Sequence, residues 1–375
     1  MTGRPSSWDA AVVGGGPAGA IAAMRLAPKH RVLVLERAAA PAARIGESLP
    51  PACRPLLRDL GLLDRMADHR PYLGNRSLWG GGPATHDFLR DLHGAGWHLD
   101  RARFDAMLQT AAREAGAEIR RGTTLRTVMP RERIRSLEGG WGLVTNLGER
   151  LHARVLIDAT GRASAVCRRL GARRRVADRL TAVYCRLRGA PHAPRDAFSR
   201  IEAVDDGWWY TAPLPDGGRV AGFHTDSDSA ALRALATEEG FLRALCRTRL
   251  IADEVTLAGT GVSDGPHLVP ANGAFADPPA GDGWLAVGDA ALSLDPLSSQ
   301  GLMNALFTGM AGGDAAVAML GGDDAAAEAY AARIAAVRAA YAANLAHFYA
   351  AEADRRGGAF WARRSRSPLR AAGGA

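Results

Sequence analysis

The stretch Trp8–Arg37, WDAAVVGGGPAGAIAAMRLAPKHRVLVLER, decides the fold of this chain. The apolar run Ala10–Val13 predicts a buried strand, and Gly14–Gly19 follows it with the spacing G-x-G-x-x-G. A helix of small residues is predicted over Ala20–Leu26, and a second buried strand over Arg31–Leu35. A strand, a glycine turn, a helix and a strand in this order are typical of a dinucleotide-binding unit, although the glycine pattern alone could be a structural turn.

Each residue type in this stretch has a physical role in binding a dinucleotide. Gly14 permits the tight turn, Gly16 lets a pyrophosphate approach the backbone, and Gly19 lets helix and strand pack closely. Glu36, at the end of the second strand, would accept hydrogen bonds from a ribose hydroxyl and would repel a 2′-phosphate, which disfavours NADP. We therefore expect these residues to contact the cofactor: Gly14, Gly16, Pro17, Ala18, Gly19, Glu36 and Arg37.

The composition is that of a globular protein with a large core. The chain has 375 residues, of which 47% are hydrophobic and 23% are charged, and this allows one or two intimately joined domains. Arginine carries almost all of the positive charge behind the net +8, because Lys29 is the only lysine. No segment combines clustered basic residues with interleaved aromatic ones, so we expect no nucleic-acid partner.

The cysteines and the lengths of the apolar runs favour a cytoplasmic protein without a metal centre. The four cysteines are scattered and form no C-x-x-C pair, which fits a reducing compartment: they are Cys53, Cys167, Cys185 and Cys246. The sequence has no secretory signal pattern and no run of about 18 apolar residues. We therefore expect no bound metal and no contact with a membrane.

The loop Arg44–Pro51, RIGESLPP, places charged and hydroxyl groups after the second predicted strand. Arg44 and Ser48 are expected to contact the cofactor. Glu47 is one of two polar groups that we expect near the reacting centre. A surface loop that caps the next helix is an equally compatible interpretation.

Arg101 lies at the start of a helix that the spacing of Phe104 and Leu108 predicts. It could meet a phosphate or a ring edge of the cofactor, and we include it among the cofactor contacts. The alternative is a surface ion pair with Asp105, one helical turn later.

Two further apolar strands end in residues that suit a ligand. Val155–Ile157 runs into Asp158-Ala-Thr-Gly161, and Trp284–Val287 runs into Gly288-Asp289. A Pro/Ser/Gly loop then opens a long helix whose N-terminus can stabilise negative charge. Ser298, in that loop, is the second polar group expected near the reacting centre. From these blocks we expect the following cofactor contacts: Asp158, Gly161, Gly288, Asp289, Pro296, Gln300 and Gly301.

A second sheet is predicted from residues 73–98 and 176–269, where short alternating runs are separated by turns. The run Trp208–Leu214, WWYTAPL, could line a substrate pocket. The candidate pocket residues are Trp79, Trp208, Tyr210 and Pro213. Packing of the sheet against its neighbour is an equally compatible interpretation of these residues.

These segments divide the chain into interleaved parts. Residues 1–72, 99–175 and 270–322 are assigned to the dinucleotide-binding domain, and residues 73–98 and 176–269 to the substrate sheet. Residues 323–375 are assigned to a C-terminal helix, in which Ile334, Tyr341 and Phe348 keep helical spacing and are expected to pack, and to a basic, solvated tail from Arg355. The predicted fold class is α/β, with a Rossmann-type domain interleaved with a mostly antiparallel sheet and followed by C-terminal helices.

The order of these blocks resembles the FAD-dependent oxidoreductases of the p-hydroxybenzoate hydroxylase fold. The resemblance rests on Gly14–Gly19 with Glu36, Arg101-x-x-Phe104-Asp105, Asp158-Ala-Thr-Gly161, and Gly288-Asp289 followed by Asp295-Pro296. It implies that the dinucleotide is FAD. Within this group, Gly46-Glu47-Ser48 and Asp295-Pro296-x-x-Ser-x-Gly301 are similar to the tryptophan halogenase branch.

Three departures from that branch disfavour halogenation. The chemistry of the family implies a lysine near the flavin, and Lys29 lies at the end of the first helix. Ser298 stands where the tryptophan halogenases typically have a glutamate. Their W-x-W-x-I-P motif is reduced here to Trp208-x-Tyr210-x-Ala212-Pro213.

A further set of motifs is similar to the flavoproteins that help to build the cysteine tryptophylquinone cofactor of amine and amino-acid oxidases. These motifs are Gly46-Glu-Ser-Leu-Pro-Pro51, Gly74-Asn-Arg-Ser-Leu-Trp-Gly80 and Phe360-Trp361-x-Arg-Arg364. This resemblance implies insertion of oxygen into a tryptophan side chain of a partner protein or peptide.

The first hypothesis is therefore an FAD-dependent monooxygenase that hydroxylates an aromatic substrate, tryptophan or indole, through a flavin C4a-hydroperoxide. The substrate would be a small molecule or a side chain of a partner protein or peptide. The chain shows no second dinucleotide-binding pattern, so NAD(P)H would bind transiently or a separate flavin reductase would supply the electrons. The alternatives are a reductase or dehydrogenase similar to geranylgeranyl reductases, a flavin-dependent halogenase, and a flavin-bearing chaperone of cofactor maturation.

Overall fold

The computed structural model describes residues 6–129, 139–189, 197–252 and 261–365. Within these ranges the strands are β1 (Ser6–Val13), β2 (Val32–Glu36), β3 (Ser48–Leu49), β4 (Arg70–Tyr72), β5 (Gly74–Trp79), β6 (Gly82–Asp87), β7 (Gly96–His98), β8 (Glu118–Arg121), β9 (Leu125–Met129), β10 (Trp141–Thr145), β11 (Arg150–Asp158), β12 (Arg173–Val176), β13 (Leu180–Leu187), β14 (Phe198–Val204), β15 (Gly207–Pro213), β16 (Arg219–Asp226), β17 (Val262–Pro270), β18 (Ala274–Asp277), β19 (Ala280–Gly281), β20 (Trp284–Ala286) and β21 (Leu292–Ser293). The α-helices there are α1 (Pro17–Leu26), α2 (Arg54–Asp59), α3 (Arg101–Glu114), α4 (Ala165–Arg169), α5 (Ala231–Ala234), α6 (Glu238–Leu245), α7 (Gly301–Leu320), α8 (Ala326–Ala353) and α9 (Ala359–Ser365).

The first sheet has a parallel centre in the order β20-β11-β1-β2-β8, which β19 extends at one edge. Parallel strands buried on both faces need continuous apolar runs, and β1 and β2 supply them with Ala10–Val13 and Val32–Leu35. Helices α1 and α7 both pack on this sheet and against each other. The two helices approach closely because α7 has glycines at the contact: a Cβ on Gly309 would lie 2.6 Å from the carbonyl oxygen of Ala18.

The second sheet has the order β17-β13-β16-β15-β14-β5-β6. Its pairs are antiparallel, except that β14 runs parallel to β5. One face carries Trp209 and Phe223, which pack against Phe241 of α6. The other face carries Trp208, which packs in the same core as the first sheet. The sheet therefore closes over the ends of the parallel strands.

The long helix α8 joins the two sheets. The hydroxyl of Tyr330 donates a hydrogen bond to the carbonyl oxygen of Ala286 at 2.6 Å, at the end of β20. The hydroxyl of Tyr349 donates to Asp295 Oδ2 at 2.8 Å, while Trp208 Nε1 donates to that same hydroxyl at 3.2 Å. Phe348 was expected to pack, but its side chain is 55% exposed because it points away from the face that carries these tyrosines.

The expectation of a solvated tail from Arg355 is wrong for the residues that the structure describes. Helix α9 packs on the second sheet through Phe360 and Trp361, which are 5% and 0% exposed, and Trp361 Nε1 donates a hydrogen bond to Val204 O at 3.0 Å. The neighbouring arginines are paired: Arg363 and Arg364 each lie 2.8 Å from a carboxylate oxygen of Asp226. Arg363 and Arg364 are thus matched by Asp226 of β16, so these two residues are not part of a free arm.

None of the helices in the described ranges combines the length and the apolar composition that crossing a membrane requires.

We expect Trp361→Ala to lower the free energy of unfolding by about 3–5 kcal/mol, because the substitution leaves a cavity at a fully buried site and removes a hydrogen bond. The measurement is chemical denaturation at equal FAD content. Phe348→Ala is the control, since its exposed side chain should contribute no more than about 0.5 kcal/mol. Equal stabilities of the two variants would contradict the docked position of α9.

Candidate active site

A cavity of about 520 Å³ lies where the two sheets meet. From the first sheet it is lined by the ends of β1, β2 and β11 and by the starts of α1 and α7. From the second sheet it is lined by residues of β13, β15, β16 and β17. The lining includes these predicted site residues: Gly14, Gly16, Pro17, Ala18, Glu36, Arg37, Arg44, Glu47, Ser48, Arg101, Gly161, Trp208, Tyr210, Gly288, Asp289, Pro296 and Gly301.

The glycine turn forms the floor of the cavity, and each glycine acts differently. Gly14 has φ +110°, and a Cβ on it would lie 2.2 Å from Ala159 O. Gly19 does not line the cavity, but a Cβ on it would lie 2.0 Å from Gly14 O, so it serves helix packing as expected. Gly16 is different, because a Cβ there would meet no described atom within 4 Å. Its missing side chain leaves room that belongs to the cavity.

Glu36 is fixed at the end of β2 by the backbone. Its Oε2 accepts a hydrogen bond from Gly15 N at 2.6 Å, and its Oε1 accepts one from Ala38 N at 2.8 Å. The carboxylate still lines the cavity, where its remaining lone pairs can accept from a ribose. Thr123 and Thr124 lie at the same end of the cavity. No sequence motif marks these threonines, because only the pairing of β8 with β2 brings them there.

Arg101 holds the loop that carries Glu47 and Ser48. Its Nη1 donates to Ile45 O at 3.0 Å and to Gly46 O at 3.1 Å, and its Nη2 lies 3.3 Å from Asp105 Oδ1. The ion pair with Asp105 therefore forms, but it is buried rather than on the surface, with side chains 8% and 4% exposed. Burial raises the pKa of Asp105, while the charge of Arg101 opposes this shift.

Asp158 supports the turn after β11 and does not itself line the cavity. Its Oδ1 accepts from Thr160 N at 2.9 Å, and its Oδ2 accepts from Val166 N and Cys167 N at 2.9 and 2.8 Å. The turn thereby presents Gly161 to the cavity. Arg162, which sequence reasoning missed, also lines it and lies 3.7 Å from Asp289.

The loop before α7 places a different serine at the cavity from the one predicted. Ser298 Oγ donates to Asp295 O at 2.8 Å and does not line the cavity, and Gln300 does not line it either. Ser299 lines it instead, in a left-handed conformation with φ +52°. Gly301 begins α7, so the N-terminus of this helix faces the cavity as expected.

Four residues paired across the second sheet form one wall of the cavity, which we call the aromatic wall because it contains the stacked rings of Trp208 and His224. Trp208 pairs with His224, His224 with Ala182, and Ala182 with Val269. Directly paired residues share one face, so all four line the cavity. Trp208 and His224 stack with ring centroids 3.7 Å apart. Burial lowers the pKa of His224 to about 3, so its imidazole is neutral at physiological pH.

Two of the predicted pocket residues lie elsewhere. Trp79 packs against Trp361 with ring centroids 5.6 Å apart, and its Nε1 donates to Phe348 O at 2.8 Å. Pro213 is in β15 with Trp208 and Tyr210 but at the opposite parity, so strand alternation turns it to the other face. The substrate wall therefore comes from Trp208 and Tyr210 and not from Trp79 or Pro213.

Two polar residues of the Arg44–Pro51 loop, Glu47 and Ser48, lie near Tyr210. Its hydroxyl is 2.7 Å from Ser48 Oγ, which is itself 3.2 Å from Nδ1 of the buried His98. Glu47 is buried, and burial raises the pKa of its carboxyl group against the hydrogen bonds and the nearby guanidinium groups of Arg101 and Arg186. Of the two polar groups expected near the reacting centre, Glu47 faces the cavity and Ser298 does not.

Comparison with known proteins identifies related sequences. A model of the tryptophan halogenase family matches residues 9–72 and 83–372 of the chain. The putative FAD-dependent oxidoreductase LodB of Marinomonas mediterranea is 34% identical over 311 residues, which are 79% of this chain and 81% of that protein.

Two solved structures share the fold over nearly the whole chain. The myxobacterial chondrochloren halogenase CndH has a TM-score of 0.83 at 29% identity, covering 98% of this chain and 88% of that one. The peptidyl tryptophan dihydroxylase QhpG, essential for tryptophylquinone cofactor biogenesis, has a TM-score of 0.71 at 25% identity, covering 96% and 79%. These comparisons confirm the predicted α/β fold and the resemblance to the tryptophan halogenase branch.

The cofactor is FAD, as the sequence predicted, because the matched proteins are flavin-dependent. The residues present fit this group. The open space beside Gly16 lies at the N-terminus of α1, where backbone N–H groups suit a pyrophosphate, and the fixed carboxylate of Glu36 suits a ribose. The start of α7 suits negative charge on the flavin ring.

We expect Gly16→Val to weaken FAD binding by at least about tenfold while the fold is kept, because the new side chain fills ligand space rather than protein space. Gly16 has φ −71°, which valine can adopt. The measurement is the flavin content and FAD affinity of the purified variant. Gly82→Val is the control, since a Cβ on Gly82 also meets no described atom within 4 Å but lies outside the cavity. A Gly16→Val protein that stays yellow would refute the site.

We expect Asp295→Asn to change how stability depends on pH. Burial, and then the charge of Asp178, raises the pKa of Asp295 from its usual 3.8 to about 6. The folded protein therefore holds this proton more tightly than the unfolded chain, and the resulting stability is full below pH 3.8 and lost as the pH rises through about 6. Denaturation midpoints measured across this window should fall less with rising pH in the variant than in the wild type. Parallel curves would contradict the raised pKa.

Proposed function

The chain belongs to the tryptophan halogenase family and is an FAD-dependent oxidoreductase, and we propose that it inserts oxygen into the indole ring of tryptophan in a partner protein or peptide. The observation that carries the proposal is the cavity itself, which joins the glycine turn of Gly14–Gly19 to the aromatic wall of Trp208 and His224. The named activity of QhpG, a peptidyl tryptophan dihydroxylase, supports the choice of substrate.

The residues of the chain bind the cofactor and shape a dry reaction space. Bound FAD, once reduced, supplies the activation of dioxygen. The start of α7 at Gly301 stabilises negative charge on the ring, and the stacked pair of Trp208 and His224 excludes water from the opposite wall. Because His224 is neutral, it brings neither a charge nor an acidic proton to the wall.

The position of the lysine supports oxygenation over halogenation. Lys29, the only lysine in the sequence, is exposed beyond the end of α1 and does not line the cavity. A lysine near the flavin is what the halogenase chemistry implies. The arginines of the cavity do not replace it, because a guanidinium group stays protonated and is a poor nucleophile.

The electrons come from outside the chain in this proposal. A strand, glycine turn and helix of the Gly14–Gly19 type is found once among the described residues, so a reduced nicotinamide binds transiently or a separate flavin reductase acts as the partner.

The test is to reduce the FAD-loaded protein in the presence of a tryptophan-containing peptide, admit isotopically labelled dioxygen, and analyse the peptide by mass spectrometry. We expect the peptide to gain one or two labelled oxygen atoms on its indole ring. Chloride and bromide are added in a parallel reaction, where a halogenated product would establish the halogenase alternative. A product with a changed degree of saturation and no label would establish the reductase alternative. Gly16→Val serves as the flavin-depleted control.

A further inference from the structure

Glu47 carries a buried oxygen to which none of the described residues donates a hydrogen bond. The residue is 1% exposed, and its Oε2 accepts a hydrogen bond from Gly46 N at 3.0 Å. Its Oε1 has no hydrogen-bond partner within the part of the chain that the structure describes, and the guanidinium of Arg186 lies 3.8 Å away. A buried acceptor without a donor is destabilising and uncommon. It indicates a donor that arrives with a ligand.

The sheet opposite Glu47 presents two tyrosines on either side of a glycine. Tyr210 pairs with Gly222, and Gly222 pairs with Tyr184, on three adjacent strands. Tyr210 lines the cavity, and Gly222 and Tyr184 lie next to it on the same face of the sheet, beyond the cavity lining. Neighbouring strands are about 4.8 Å apart, which separates the two tyrosine backbones by roughly 9–10 Å. A Cβ on Gly222 would meet no atom closer than 3.5 Å.

Two contacts bring Glu47 close to both tyrosines. Its neighbour Ser48 has Oγ 2.7 Å from the hydroxyl of Tyr210, and Arg186, two residues after Tyr184 on β13, lies 3.8 Å from Glu47 Oε1. Burial, and then the charge of Glu47, raises the pKa of Tyr210. Burial and the charge of Asp264 raise the pKa of Tyr184, and Glu47 adds to this shift. The ring of Tyr184 is supported on its far side by His267, at 5.2 Å between ring centroids.

We propose that the space bounded by Tyr210, Gly222 and Tyr184 receives the flat ring of the substrate, and that Glu47 Oε1 accepts a hydrogen bond from the N–H of that ring. This inference rests on the proposed function, because it states how the same site recognises an indole. Two aromatic walls suit a planar ring, and one unpartnered acceptor suits one neutral donor.

The positive charges beside Glu47 favour a neutral ligand over a cationic one. The guanidinium groups of Arg186 and Arg101 are already next to the carboxyl group, so a substrate ammonium group would meet net repulsion. A neutral heteroaromatic N–H satisfies Oε1 without adding charge. The site therefore discriminates between an indole that carries a hydrogen on its nitrogen and one that carries a methyl group there.

The experiment uses the oxidised, FAD-loaded protein and follows the flavin absorbance during titration. The two probes are N-acetyltryptophanamide and the same compound methylated on the indole nitrogen. We expect the wild type to bind the unmethylated probe at least about tenfold more tightly, since methylation removes the donor to a buried acceptor. In Glu47→Ala the preference should fall to near one, and in Glu47→Gln, which keeps an amide oxygen, most of it should remain.

Three outcomes would overturn the inference: no binding of either probe by the wild type, equal affinity for both probes, or an unchanged preference in Glu47→Ala. A second variant tests the position of the ring. Gly222→Leu should weaken binding of the unmethylated probe by at least about tenfold with FAD retained, whereas Gly82→Leu should bind it as the wild type does. Unaltered binding by Gly222→Leu would place the ring elsewhere.

This titration involves no oxygen, so it separates the two ideas. A protein that prefers the unmethylated probe but yields no oxygenated peptide retains the recognition by Glu47 and refutes the proposed function. A protein that oxygenates the peptide but shows no preference between the two probes supports the proposed function and refutes the recognition by Glu47.

Discussion

The structure depends on one close approach of backbone to backbone, where the first turn of the chain meets the end of β11. A Cβ on Gly14 would lie 2.2 Å from Ala159 O, and one on Gly19 would lie 2.0 Å from Gly14 O. Only glycine allows both contacts. They bring the end of β1, the start of α1 and the turn after β11 to one point, and this point is the floor of the cavity. The side-chain contacts of the site are built above that floor.

The two sides of the cavity present different chemical groups. The parallel sheet offers backbone N–H groups, helix N-termini and the fixed carboxylate of Glu36, which suit a charged dinucleotide. The second sheet offers the stacked rings of Trp208 and His224, and the loop before β3 places the buried carboxyl group of Glu47 opposite that sheet. The first side therefore suits the cofactor, while the second side carries the altered motif Trp208-x-Tyr210-x-Ala212-Pro213.

Sequence reasoning found the residues whose role depends on local backbone, and it missed those whose role depends on pairing. The glycine turn and the strand ends at Gly161 and Gly288 are local, and they line the cavity as predicted. His224 and Thr123 reach it only through strand register. Pro213 could have been excluded by alternation along β15, because it has the opposite parity to Trp208. The docking of Trp361 could not be predicted, because its partner Val204 is 157 residues away.

The tyrosines of α8 determine when, during synthesis of the chain, the walls of the cavity can be joined. In the loop at Asp295, the backbone N–H of Asp295 donates a hydrogen bond to the hydroxyl of Tyr341, and the hydroxyl of Tyr349 donates one to Asp295 Oδ2; the two tyrosines are 46 and 54 residues later in the chain. Tyr349 also ties this loop to Trp208 in the other sheet. During synthesis β1, the glycine turn, α1 and β2 emerge early, but the wall at Trp208 and the loop at Asp295 are held together only after α8 has been made. We therefore expect the flavin to be captured late in biosynthesis, by a nearly finished chain.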